Sequence, residues 1–218
     1  MSATVPSPPP AAPGPTPPVD GDPHPGLATV RLFIALAPPD EAKAELERAL
    51  APAYAAHPRL RWNRIEDWHV TLAFLGELPR PTVEVLRAPL AELAGRRPPV
   101  WLGLRGGGHF DERVAWSGID GDLEGLRKLA GEVRALVRAL GVPFVERPLR
   151  PHLTLARARR ADAHGAAAVA SGLDGFAGRA WPASRLHLVG SNLGRGPGRI
   201  HYRDVDSWAF TGPAAPSA

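Results

Sequence analysis

Two short words in this 218-residue chain carry side chains suited to proton transfer: His69-Val70-Thr71-Leu72 and, 83 positions later, His152-Leu153-Thr154-Leu155. Each supplies an imidazole, whose ordinary pKa lies at about 6.5, and a hydroxyl two residues on. Displacement at phosphorus runs in line, with the attacking and leaving oxygens on opposite sides. A neutral imidazole taking a proton on one side and a protonated one giving a proton on the other suit that step without a metal. The two hydroxyls can donate hydrogen bonds to the non-bridging oxygens held between them. A lone His beside a Thr is usually an ordinary strand residue. The repetition, in two β-like runs, is what points to one shared site.

In strands, alternation predicts His69, Thr71 and Ala73 on one face and Val70, Leu72 and Phe74 on the other. Likewise His152, Thr154 and Ala156 oppose Leu153 and Leu155. Arg150 lies two residues before His152, with Pro151 favouring extension between them, so its guanidinium is expected to help bind phosphate. Phe33 and Tyr202 are strand aromatics that could stack on a base, with core packing as the alternative. Arg157, after the second word, reads as a strand-end charge, and Trp62 and Trp68 as packing residues. The run Gly106-Gly107-Gly108-His109-Phe110-Asp111-Glu112 reads as a turn-rich loop at the cleft rim, because it lacks the Lys-Ser/Thr ending of a phosphate loop. His187 is assigned a structural role. No His pair has the i, i+4 spacing with a carboxylate that marks a zinc helix, and there is no cysteine, so neither a metal nor another cofactor is expected.

The elements that must position these groups can be read from periodicity. Strands are expected at residues 29–36, 69–75 (stopped by Gly76), 100–104, 114–119, 152–156, 185–189 and 200–210. Helices are expected at 40–51, 81–95, 122–140 and 161–171. A strand, a helix and a His-bearing strand recur in each half. This predicts an α+β fold: a two-lobed, pseudo-symmetric body with antiparallel sheets lining a central cleft and helices outside. The body spans 27–210. Residues 1–26, with ten prolines, and 211–218 read as disordered tails.

Composition bounds the rest. Twenty-six Lys plus Arg against 22 Asp plus Glu give a net charge of +4, and only Lys43 and Lys128 are lysines. An arginine bias of this kind can reflect codon composition, so it supports nucleic-acid contact weakly. No apolar run approaches the roughly 20 residues of a membrane helix, and no secretory pattern opens the chain. A cytoplasmic monomer is expected.

Several longer stretches carry a family resemblance: RLFIAL near the start, RWNRIEDWHVTLAFLGEL around the first His, RPHLTLAR around the second, and LHLVGSNLG followed by a Tyr. Together they resemble the 2H phosphoesterase superfamily, within it the RNA 2′,3′-cyclic phosphodiesterases, also called 2′-5′ RNA ligases. The resemblance implies a metal-independent site in a cleft, built on His69, Thr71, His152 and Thr154. It also implies opening of 2′,3′-cyclic phosphate to a 2′-phosphate, with RNA ends or small cyclic nucleotides as substrates and 2′-5′ joining as a further activity. By the same resemblance His69 is the general acid toward the leaving 3′ oxygen and His152 the general base on water. Two departures, Ala73 where a polar residue is usual and Ser191-Asn192-Leu193-Gly194 where the family has SRLG, bear on substrate preference. The alternative is a non-catalytic nucleotide or RNA binder on the same fold.

Overall fold

A computed structural model describes residues 28–159, 163–192 and 201–213. All strand pairs are antiparallel and join one nine-stranded sheet. In chain order the elements are β1 (Thr29–Leu36), α1 (Asp40–Ala56), β2 (Arg61–Trp62), a 3-10 turn (Ile65–Asp67), β3 (Val70–Pro79), α2 (Thr82–Gly95), β4 (Val100–Phe110) and β5 (Val114–Gly121). They continue with α3 (Leu123–Ala139), β6 (His152–Arg157), α4 (Ala163–Ser171), β7 (Trp181–Ala183), β8 (Arg185–Asn192) and β9 (His201–Ala209).

Eight of the nine strands run in the order β7-β4-β5-β6-β3-β1-β8-β9, symmetric about its centre, with the strands of the two His-Thr words adjacent and three strands beyond each; the short β2 pairs with β6 off this path. The expected α+β body is therefore present, with its two sheets merged into a single curled one. Val70 opposite Leu153 is the registered pair joining the lobes, and both side chains are fully buried. The lobes are not the sequence halves, since β8 and β9 return to pair beside β1. The helices cross over too: α1 and α4 pack on β4, while α2 packs on β9 and α3 on β3.

Helices and sheet enclose one apolar core. Leu32, Ile34 and Leu36 of β1 point into it with Leu46 and Leu50 of α1, Leu86 and Leu90 of α2, and Leu126, Leu129 and Val133 of α3. Asp122 caps α3 by accepting a hydrogen bond from the Gly125 N–H at 2.8 Å. The helix α1 runs past its expected end at 51 because Pro52, whose φ suits a helix, costs one ladder bond while Leu46 and Leu50 hold the turns before it in the core.

Two expected boundaries are corrected. Gly76 does not stop β3: its φ of 80° bends the strand, which continues in register with β1 to Pro79. The glycine run is not a loop either, since β4 extends through it to Phe110 and only residues 111–113 turn. Close approach is the reason for glycine there, not flexibility. A Cβ on Gly107 would lie 2.2 Å from the Ala170 carbonyl oxygen, and one on Gly108 2.1 Å from the Trp116 ring. The turn itself places Asp111 and Glu112 at positive φ (49° and 53°).

At the C-terminal end, the Gly212 N–H bonds the Arg97 carbonyl and the Thr211 hydroxyl that of Gly95, so hydrogen bonding runs past Phe210. The tail expected at 1–26, the rest of the one expected at 211–218 beyond residue 213, and Leu193-Gly194 lie outside the described residues. Among the described residues no helix is long and apolar enough to cross a membrane.

Candidate active site

The sheet face away from the helices carries both His-Thr words. With Val70 opposite Leu153, an antiparallel register sets Thr71 beside His152 and His69 beside Thr154. The four groups so gather around one point, each imidazole next to the other strand's hydroxyl. His69, Thr71, His152 and Thr154 are all half-buried.

Both imidazoles are held identically. Nδ1 of His69 lies 2.6 Å from the Asp67 carbonyl oxygen, and Nδ1 of His152 lies 2.6 Å from that of Arg150. A carbonyl can only accept, so each Nδ1 carries the hydrogen. Each Nε2 is left with a lone pair when neutral and an N–H when protonated. Either ring can thus serve as base or acid through the same atom.

Each ring is also walled by aromatics. Phe33 and Tyr202 lie 4.5 and 5.2 Å from the His69 ring, and Phe33 and Tyr202 meet edge-on at 5.4 Å. Phe110 and Trp116 lie 4.9 and 6.3 Å from the His152 ring. The paired candidates Phe33 and Tyr202 therefore come together beside His69. Phe110 is not legible in the sequence because the glycine run conceals the end of β4, and Trp116, on an expected strand, because only the pairing of β5 with β6 brings it beside His152.

Burial in these walls disfavours the charged imidazole. His69 is lowered to about 4, chiefly by desolvation and further by His152 and Arg157, against the opposing pull of the Asp67 carbonyl and Asp204. His152 is lowered as well, again mainly by desolvation, with Arg157 and Arg150 adding to it.

Strict alternation fails at one point in each word. On β3, Ala73 pairs with Ile34 and Thr71 with Ala35, leaving Leu72 as an extra residue. On β6, Ala156 pairs with Ala115 and Thr154 with Trp116, leaving Leu155 extra. These matching bulges reverse which side later residues face. Ala73 and Ala156 are buried rather than sharing the His face, whereas Phe74 is 44% exposed and Arg157 is exposed. The bulged carbonyls are satisfied: Leu72 accepts from Arg134 Nε at 3.1 Å and Leu155 from the Asn63 N–H at 2.8 Å, while Asn63 Nδ2 reaches the Thr154 carbonyl at 3.0 Å.

Arg157 is thus more than a strand-end charge, since it acts electrostatically on both histidines. Arg150 lies at the His152 end as expected, exposed, with its guanidinium 6.0 Å from the Phe110 ring centre. It precedes β6, so its backbone carbonyl orients His152 while its side chain stays outside the strand. Arg31 stacks 4.6 Å over Phe74. Trp68 is buried in the core, and Trp62 donates to the His57 carbonyl, both as packing residues.

A His-x-Thr strand from each half of the chain, set side by side on the open face of an antiparallel sheet, defines a two-histidine phosphoesterase. The profile described as LigT like Phosphoesterase matches residues 36–116 and 119–198, and the chain belongs to that family. The Escherichia coli K12 protein named RNA 2′,3′-cyclic phosphodiesterase is 32% identical over 187 residues, covering 83% of this chain and 97% of that one. The Geobacillus stearothermophilus protein of the same name is 36% identical over 129 residues, covering 57% of this chain and 41% of the relative. This chain thus spans less than half of that relative's length. The crystal structure of E. coli LigT complexed with 3′-AMP superposes with a TM-score of 0.63 at 27% identity, covering 84% of this chain and 99% of that one.

Proposed function

We propose that this chain is a metal-independent RNA 2′,3′-cyclic phosphodiesterase that leaves a 2′-phosphate, with joining or splitting of 2′-5′ linked RNA ends as a further activity of the same site. The observation that carries it is the twin clamp on His69 and His152: both Nδ1 atoms are tied at 2.6 Å to carbonyls, which dedicates both Nε2 atoms to proton transfer. The names of the relatives and the 3′-AMP bound to E. coli LigT support a nucleotide phosphate as ligand. A binding protein would need no such matched pair.

His152 Nε2 takes a proton from water as the water oxygen bonds to phosphorus. The phosphorus–O3′ bond breaks, and His69 Nε2–H gives its proton to O3′. A 2′-phosphomonoester and a 3′-hydroxyl result, and solvent returns the proton from His152 to His69. Thr71 and Thr154 hydroxyls donate to the non-bridging oxygens, and Arg150 adds positive charge near the phosphate. The bound phosphodiester anion favours the protonated imidazole that desolvation disfavours in the free protein. Half-buried Tyr202 offers a stacking face for the base, while Phe33, almost fully buried with Ala35 and Val189, packs behind it. Phosphorus NMR of a nucleoside 2′,3′-cyclic phosphate incubated with the protein in excess chelator tests this: accumulation of the 2′-phosphate is expected. A 3′-phosphate, or no turnover, would refute it.

A further inference from the structure

The segment between β2 and β3 touches both His-Thr words. Asn63 opens it, half-buried beside the edge of β6. Its backbone N–H donates to the Leu155 carbonyl at 2.8 Å, and its side-chain Nδ2 donates to the Thr154 carbonyl at 3.0 Å. In an unbroken strand successive carbonyls point to opposite edges. The bulge at Leu155 turns these two toward one edge, where a single residue takes both.

The same segment ends at His69. Within it the Asp67 N–H bonds the Arg64 carbonyl and the Trp68 N–H that of Ile65, each at 3.1 Å, which closes the 3-10 turn. The buried Trp68 ring anchors the turn in the core, and the Asp67 carbonyl holds His69 Nδ1 at 2.6 Å. One short, braced run therefore ties the backbone of Thr154 to the imidazole of His69. These are the two groups that the Val70–Leu153 register sets side by side. The bulge on β3 is held from elsewhere, since Arg134 of α3 takes the Leu72 carbonyl.

We propose that Asn63 is a positioning residue: by clasping the Thr154 carbonyl from the run that also orients His69, it fixes the Thr154 hydroxyl relative to that imidazole. The inference rests on the phosphodiesterase reading and adds to it a residue that touches neither the substrate nor the reacting atoms. Without the Nδ2 donor the backbone at Thr154 relaxes, and the hydroxyl loses its aim at the non-bridging oxygen.

The test measures kcat and KM on a nucleoside 2′,3′-cyclic phosphate for wild type, Asn63→Ala and Asn63→Gln, with urea titration to confirm that each is folded under assay conditions. Asn63→Ala should lower kcat by about 10- to 100-fold, the scale on which a slightly misplaced group acts, with KM little changed. Asn63→Gln, which keeps the amide donor, should recover part of that loss. Asn63→Ser, whose hydroxyl is too short to reach the carbonyl, takes the place of Asn63→Ala should the latter not fold. Adding the same substitution to Thr154→Val and to Thr71→Val separates positioning from general loosening. Its effect should shrink markedly in the Thr154→Val background and persist in the Thr71→Val one. A wild-type kcat in Asn63→Ala, or equal losses in the two backgrounds, would overturn the inference and leave the phosphodiesterase reading standing. Absence of turnover in wild type would overturn that reading, and the inference with it.

Discussion

Removing the His69 imidazole should make the protein less sensitive to acid. The folded state holds His69 at a pKa of about 4, while the unfolded chain restores it to 6.5. Between those values the unfolded chain binds the extra proton, so stability is full above pH 6.5 and falls as pH drops toward 4. Integrated over this window, the group's loss is about 2 kcal/mol by pH 5 and about 3 kcal/mol by pH 4. The size follows from how the ring is housed, against Phe33 and Tyr202 and under the repulsion of His152 and Arg157. Urea unfolding followed by tryptophan fluorescence, for wild type and His69→Gln at pH 7, 5 and 4, isolates the contribution, because carboxylates far from His69 titrate alike in both proteins. Wild type should lose about 3 kcal/mol more than the variant between pH 7 and 4. Parallel losses would mean that the folded site does not desolvate His69.

The same lowering acts on both histidines, so the bell-shaped pH dependence of kcat/KM should lie on the acid side of pH 6.5, with its acid limb near 4. It falls at high pH because both rings lose their protons, and at low pH because both gain them. An optimum above pH 7 would contradict the lowered values. Gly108→Ala puts a methyl 2.1 Å from the Trp116 ring, so thermal unfolding should show a cost of about 1–3 kcal/mol, and turnover should fall as the wall beside His152 shifts. Thr71→Val and Thr154→Val should each slow turnover by about 10- to 1,000-fold with little change in stability, measured by single-turnover kinetics and urea titration. Leu153→Ala removes a fully buried side chain from the pair joining the lobes, and should cost about 2–5 kcal/mol in urea titration.

The catalytic words were legible because identity and order repeated: His69-Val-Thr-Leu and His152-Leu-Thr-Leu needed no geometry to be noticed. The strands around them were legible from β-branched and apolar runs, and β1 lies at its expected bounds. The bulges at Leu72 and Leu155 were not, because alternation assumes an unbroken register and the extra residue is set by the neighbouring strand. Hence alternation alone puts Ala73 and Ala156 on the wrong face and turns Arg157 away from the histidines. The glycine run misled for a related reason. Gly107 and Gly108 answer to Ala170 and Trp116, which lie far along the chain or across the hairpin, and nothing local marks a glycine that is there for close packing. The crossing of α1 and α3 onto strands of the other lobe is likewise a tertiary choice that local periodicity does not record.

The central claim is that His69 and His152 act as one acid–base unit. Single-turnover hydrolysis of a nucleoside 2′,3′-cyclic phosphate in excess chelator, by wild type, His69→Ala, His152→Ala and the double variant, tests it most directly. Each single variant should lose about 10²- to 10⁴-fold in rate, and the double variant should lose little more than either, because removing one partner already disables the unit. A single variant that keeps its rate, or losses that simply multiply in the double variant, would contradict it.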